Sequence, residues 1–220
     1  MGLTAKEKRE QQKKQDAKIA GYQQLVTKAF NQVDPLSEFS AFKTFNKNDF
    51  KASVHCNRVT HMEANLVDWA VDLLQRNMLT MYEQSKWGWD LRKKRKEMTE
   101  EEAWYLVMST SVDSKPIAYS HFRFDMDYER PVLYCYEVQV ESEFLRRGLG
   151  KFIMQLLALI AFKNRLHKVV LTVFRHNSAA CTFFRSLGYS TDDTSPEEDE
   201  EDYEILSRVN PHLVEEAGPL

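Results

Sequence analysis

The chain is short of glycine, with seven in 220 residues, and shorter still of cysteine, with three. Cys56, Cys135 and Cys181 are far apart and form no metal-like pair. Cys135 and Cys181 lie in apolar contexts and read as small core residues of a reducing compartment. The six histidines show no ligand spacing, so no metal is expected. No apolar run approaches the roughly 20 residues that cross a bilayer. The sequence starts polar and charged, which argues against a signal peptide, and Lys6 stands where an N-myristoylation motif wants Ser or Thr. No membrane role is expected.

At 43% hydrophobic residues the chain can bury one substantial core. A net charge of −3 hides a local asymmetry. Lys6 to Lys18 and Arg92 to Lys96 are basic, whereas Glu197 to Asp202 is a continuous acidic run. The expected organisation is a charged tail over 1–18, then an N-terminal helix and linker over 19–49. A catalytic-sized core follows over 50–208, with a C-terminal tail over 209–220. Ile19, Tyr22, Leu25, Val26 and Phe30 give the helix an apolar docking side. The basic content of its start reads as a solvated face rather than a nucleic-acid patch, and no direct nucleic-acid binding is expected. Within the core, alternation and helical periodicity predict strands over 51–59, 103–109, 116–125, 132–140, 168–174, 188–192 and 202–208. Helices are predicted over 64–83, 90–98, 149–163 and 178–186.

The most informative segment is the apolar run Tyr134 to Val140 leading into Arg146-Arg147-Gly148-Leu149-Gly150-Lys151 and a long apolar helix. That order makes an anion cradle: amides free at a helix start, a favourable dipole, and glycines that let the backbone approach. Arg146, Arg147 and Lys151 add positive charge suited to a pyrophosphate. The spacing excludes a P-loop, which needs four residues between its glycines. It also excludes a dinucleotide fold, because Ile153 stands where the third glycine belongs.

The loop resembles the acetyl-coenzyme A motif of the GNAT acetyltransferases, Gln/Arg-x-x-Gly-x-Gly/Ala, departing from it at Leu145. Asn177 to Tyr189 is similar to that family's Asn-x-x-Ala-x-x-Phe-Tyr-x-x-x-Gly-Phe helix. The resemblance implies an α/β (α+β) fold: a mixed, mostly antiparallel central sheet flanked by helices, here with an extra N-terminal helical segment. It implies acetyl-coenzyme A as co-substrate, held by Val138, Gln139, Val140, Arg146, Arg147, Gly148, Leu149, Gly150, Lys151 and Asn177. A backbone N–H at a bulge after Glu137 is expected to polarise the acyl carbonyl.

Acyl transfer needs an uncharged amine. An α-amine with a pKa near 8 is roughly one-tenth neutral at pH 7, and a lysine only about one part in 2,500. Glu137, an acid among apolar neighbours, is the candidate proton acceptor, directly or through water; pairing with Arg or Lys across the sheet is its alternative. Tyr203, at a strand start, is the second candidate.

A closer resemblance lies in Met81 to Trp89, Ala103 to Leu106, Ser120 to Asp125, Leu133 to Gln139, Leu171 to Phe174 and Tyr203 to Arg208. These runs are similar to the N-alpha-acetyltransferase D family, which acetylates the amino termini of histones H-four and H-two-A. That resemblance implies Glu137 and Tyr203 as catalytic residues. It implies a peptide site of Tyr82, Trp87, Asp125, Met126, Asp127, Tyr136, Thr172 and Tyr203. Histone tails are the implied partners, residence is nucleus and cytoplasm, and the protein is expected to be a monomer. Acceptors that stay open are lysine or small amines, and so does a non-catalytic acetyl-coenzyme A-binding module. The acidic run before Tyr203 is expected either to steer a basic tail or to be a solvated loop.

Overall fold

The computed structural model describes residues 4–213. Helix α1 (Ala5–Phe30) opens on a reciprocal cap: Glu7 N donates to Thr4 Oγ1 at 3.3 Å, and Thr4 N donates to Glu7 Oε2 at 2.7 Å. The helix therefore starts well before the docking segment from Ile19, and residues 5–18 are helical rather than a separate tail. Their Lys, Gln, Glu and Ala content favours helix without an apolar stripe, which is the signal the sequence reading relied on. Gln15 Nε2 donates to Glu129 Oε2 at 2.8 Å, tying this polar half to the main body.

A hairpin follows, β1 (Thr44–Lys47) and β2 (Phe50–Arg58). Its turn residues Asn48 and Asp49 both have left-handed φ, +50° and +61°, the two-residue turn that suits twisted strands. The stretch 19–49, expected to hold a helix and a linker, thus also contains a strand. With one apolar residue, Phe45, β1 carries no alternation to betray it.

Then come α2 (Ala64–Glu83), α3 (Leu91–Met98), β3 (Trp104–Thr110), β4 (Pro116–Asp127), β5 (Arg130–Val140) and α4 (Leu149–Lys163). The chain continues with β6 (Lys168–Phe174), α5 (Ser178–Ser186), β7 (Ser190–Thr191) and β8 (Tyr203–Val209). The strands form one sheet in the order β1-β2-β3-β4-β5-β6-β8-β7, antiparallel except at β5–β6. This is the mixed, mostly antiparallel sheet expected.

Strand β3 shows how the sheet is covered. Trp104, Leu106 and Met108 pack into the core on the α1/α4 side, while Tyr105 and Val107 join the α2/α3 side. Successive side chains of a strand point to opposite faces, so a continuous apolar run signals burial on both. Helix α2 meets the sheet through Val67, Ala70, Val71 and Leu74, spaced as one helical stripe. Among the described residues no helix is long and apolar enough to cross a membrane.

Two irregularities in β5 build a site. His121 pairs with Glu137 and Phe122 with Cys135, so Tyr136 is an extra residue facing no partner. Such a bulge reverses the alternation beyond it. Leu133 and Cys135 pack on the α4 side, and after the bulge Val138 and Val140 do so, which sends Glu137 and Gln139 to the α2/α3 side. The bulge therefore precedes Glu137 rather than following it. The second irregularity is a split: β5–β6 pairing ends at Cys135–Leu171, though both strands continue.

Candidate active site

Beyond the last β5–β6 pair a cavity of about 520 Å³ opens between the strands. Tyr134 to Gln139 form one wall and Leu171 to Phe174 the other. Met78, Tyr82 and Trp87 cover it from the α2 end, Lys94 and Glu97 from α3, and Asn177, Ala180 and Phe184 from α5. Of the expected site residues, Glu137, Val138, Gln139, Asn177, Tyr82, Trp87, Tyr136 and Thr172 meet here.

Glu137 is 6% exposed and firmly held. Its Oε1 accepts from Lys94 Nζ at 2.8 Å and from Tyr82 Oη at 3.4 Å. Its Oε2 accepts from Gln139 Nε2 at 3.1 Å, and Gln139 Oε1 in turn accepts from Asn77 Nδ2 at 3.0 Å. A carboxylate offers about four lone-pair positions, so one on Oε2 remains for a water or an amine N–H. Both possibilities left by the sequence therefore hold at once: the carboxylate is paired, and it keeps an acceptor position. Its cationic partner comes from α3, not from across the sheet.

Lys94 also donates to Glu97 Oε1 at 2.7 Å and lies 5.2 Å over the Tyr82 ring. Burial alone would pull its pKa down, but the nearby Glu137 charge, with Tyr82 and Glu97, carries it above the usual lysine value. Lys94 is thus an ammonium throughout the physiological range. Burial and the Glu137 charge push the Tyr82 phenol up, so it stays a neutral donor. Sequence reasoning missed Lys94, because nothing in the basic segment 92–96 marks which of its cations turns inward.

The aromatic mouth is continuous. Tyr82 meets Phe174 at 5.1 Å and Trp89 at 5.3 Å, and Trp87 meets Phe174 at 5.2 Å. Tyr203 packs against Trp87 at 5.0 Å and pairs with Phe174 in the sheet, but it is not part of the cavity wall. Asp125, Met126 and Asp127 do not line the cavity either. The Asp125 carboxylate accepts from Met126 N at 2.7 Å, and Asp127 lies 3.6 Å from Lys168 Nζ. They sit at the far end of the β4–β5 hairpin, short of the split. The acidic run is partly tied down. Lys86 N donates to Asp202 Oδ2 at 2.5 Å and Lys86 Nζ donates to Glu200 O, which latches this loop to the segment carrying Trp87. Glu197 to Glu200 remain exposed.

Behind the bulge, His121 is wedged between Tyr105 at 5.2 Å and Tyr136 at 4.9 Å, with neither ring nitrogen hydrogen-bonded. Burial, then the Arg123 and Lys94 charges, hold its pKa well below the usual value. Folded His121 is neutral, whereas the unfolded chain takes up its proton below about pH 6.5, so stability falls by up to about 1.4 kcal/mol per pH unit below that point. Thermal melts between pH 7.5 and 5.5 should show a steeper loss for the native chain than for His121→Phe. Equal slopes would refute this account.

The expected cofactor loop caps the other end of the cavity wall. The first helical bond of α4 runs from Phe152 N to Gly148 O at 3.0 Å, so the amides of Leu149, Gly150 and Lys151 precede the ladder. Gly148 has φ +94°, and a Cβ there would meet Lys47 Nζ at 3.3 Å. A Cβ on Gly150 would meet Phe183 Cζ at 3.2 Å. The cradle is therefore shaped by missing side chains, and Lys47, a cation from the unforeseen strand β1, stands beside it. Arg146, Arg147 and Lys151 are exposed; Arg147 lies 5.1 Å over the Phe50 and Phe144 rings. Lys151 and Arg208 line a smaller cavity of about 180 Å³ between α4 and α5. Leu145, the departing motif position, is exposed. Asn177 Oδ1 accepts from Ala180 N at 3.2 Å, starting α5 at the cavity rim. These residues fit a diphosphate at the α4 amides with a linear arm along the free edge of β5.

The sequence model described as "Acetyltransferase (GNAT) family" matches residues 65–189. The chain belongs to the GNAT acetyltransferase family. Its fold is similar to that of the ribosomal-protein-S18-alanine N-acetyltransferase from Escherichia coli, at 18% identity and TM-score 0.51, over 71% of this chain and 94% of that one. It is also similar to spermidine N-acetyltransferase from Vibrio cholerae in complex with CoA and spermine, at 12% identity and TM-score 0.53, over 71% and 95%. A third similar structure is the NatC complex bound to Gag peptide and CoA, at 15% identity and TM-score 0.52, over 71% and 98%. Structures holding a peptide and a polyamine share this fold, so the fold alone does not set the acceptor.

Proposed function

We propose that the chain is an N-terminal α-amino acetyltransferase that moves an acetyl group from acetyl-coenzyme A to the first serine of histones H-four and H-two-A, which begin Ser-Gly-Arg-Gly. The observation that carries this reading is the one open acceptor position on Glu137 inside a cavity roofed by Tyr82 and Trp87. A chain end can enter between these aromatics, whereas a lysine within a continuous chain asks for an open groove. Acetyl-coenzyme A, gripped by the α4 amides and the β5 edge, supplies an acyl carbon activated as its thioester. Glu137 Oε2 orients the amine or a water that relays its proton, and Tyr82 and Gln139 keep the carboxylate in place. Exposed Glu197 to Glu200 on the latched loop present negative charge to a basic tail. Substrate arginine suits the aromatic faces of Trp87 and Tyr82. Histone tails as partners accord with nuclear and cytoplasmic residence and a monomeric enzyme.

Mass spectrometry of a Ser-Gly-Arg-Gly peptide, free or blocked at its amino terminus, tests the reading. Acetyl addition at the free terminus alone is expected. Addition to lysines of the blocked peptide, or to spermidine in preference to either, would displace the α-amine assignment. Tight CoA binding without transfer to any of these would leave a binding module.

A further inference from the structure

The strongest feature that this function does not absorb is Lys94. It sits at the wall of the acceptor cavity, and its side chain is only 12% exposed. Helix α3 points it inward firmly. Asp90 caps the start of that helix, Arg123 donates to Glu97 O at 2.6 Å, and Tyr105 Oη donates to Met98 O at 2.7 Å. The groups facing Lys94 are Glu97 on its own helix, Tyr82 on α2, Tyr105 on β3, His121 and Arg123 on β4, and Glu137 on β5. Burial keeps the tyrosines and His121 neutral, so the charges within the wall are two carboxylates and Lys94, with Arg123 satisfied by Glu100 at 2.8 Å.

Without Lys94, Glu137 and Glu97 would form a doubly negative pocket. Such a pocket attracts ammonium ions and keeps them charged, because neighbouring opposite charges favour the charged form. A bound ammonium has no lone pair with which to attack. A histone-like tail is rich in lysine, so that pocket would be blocked by its own substrate class. In the structure the Glu137 Oε1 position is already filled by a tethered ammonium, and the open position is on Oε2. An amine held there would lie within about 5–8 Å of Lys94 Nζ, given ordinary hydrogen-bond lengths, so the Lys94 charge offsets part of the pull that the two carboxylates exert on a charged amine.

We propose that Lys94 is a resident counter-cation that weakens the acceptor site's hold on ammonium groups by filling Glu137 Oε1, so that Oε2 is not blocked by the charged side chains of the substrate. This rests on reading the cavity as the acceptor site of an amine acetyltransferase. The role tunes how tightly the charged form binds and does not require Lys94 to touch the substrate, which makes it a specificity-determining residue.

The test uses the full chain saturated with CoA or acetyl-coenzyme A. The probe is a Ser-Gly-Arg-Gly peptide blocked at its amino terminus and carrying several lysines, used as a competitive inhibitor at pH 8. Lys94→Met should lower its inhibition constant at least about fivefold, while Lys94→Arg keeps it within about twofold of the native value, since only the former removes charge. An inhibition constant unchanged or raised in Lys94→Met overturns the proposal and leaves Lys94 as structural support for Glu137. A second readout uses Lys94→Gln. The α-amine of a free, ¹⁵N-labelled peptide, titrated by NMR in its complex with CoA-loaded protein, should have a higher midpoint in this variant than in the native chain. An equal or lower midpoint overturns the proposal even should Lys94→Met fail to fold. Native protein that binds CoA but acetylates no free-amine peptide overturns the reading of the site itself. Native transfer with an unmoved inhibition constant in Lys94→Met overturns only the role of Lys94.

Discussion

Glu137→Gln is expected to lower kcat on a Ser-Gly-Arg-Gly peptide at least about tenfold, the lower end of general-base effects discounted for a water that takes the proton instead. The substitution keeps the shape of the side chain and removes its charge. Lys94 retains Glu97 at 2.7 Å, so the ammonium is not left alone in the wall. The loss at the site is specific: an amide has one oxygen, and that oxygen is claimed by Lys94 and Tyr82, which now hold Oε1. Its nitrogen would face the Gln139 amide nitrogen that donates to Oε2, so Gln139 must turn and give up the bond from Asn77. No acceptor then remains where the proton has to go. Steady-state kinetics with saturating acetyl-coenzyme A would measure the effect, and a melt showing only a few degrees of change would assign it to chemistry. An unchanged kcat in a folded variant would reduce Glu137 to a counter-ion of Lys94.

The glycine-shaped cradle at the start of α4 was legible in the sequence because it is local. Gly148, Gly150 and their cations are consecutive, and the strand before them and the helix after them announce themselves by composition. The order of the core elements was legible for the same reason. What the sequence hid depends on register or on distance along the chain. Alternation across 132–140 marks a strand, but a single extra residue at Tyr136 decides which face Glu137 meets, and composition carries no trace of that shift. Lys94 and Glu137 lie on different elements, and their contact exists only because α3 is fastened beneath β4 by Arg123. The N-terminal half of α1 and the strand β1 were missed because neither has the apolar period that burial imposes. Asp125 came by resemblance, Tyr203 also from its place at a strand start. In the structure Tyr203 packs on Trp87, and Asp125 lies near the end of β4.

Gly148→Val should raise the dissociation constant for CoA about a hundredfold or more, measured by calorimetry on folded protein. Two costs combine at this position. The backbone has φ +94°, a conformation a β-branched residue adopts only under strain, so the turn must rearrange. Its new Cβ also comes within 3.3 Å of Lys47 Nζ, which has to shift by a few tenths of an ångström. The first cost displaces the first-turn amides of α4, and the second moves a cation that stands beside them. Hydrogen bonds to a charged group are worth about 1.5–3 kcal/mol each, so misaligning two of them costs about 3 kcal/mol at the least, which is the hundredfold expected. The effect should be confined to the diphosphate. A truncated donor that carries only the pantetheine thioester should bind the variant and the native chain equally weakly, because the β5 edge it lies against is untouched. CoA affinity within threefold of native for Gly148→Val would mean that the α4 amides do not grip the diphosphate, and that exposed Arg146, Arg147 and Lys151 do so by charge alone.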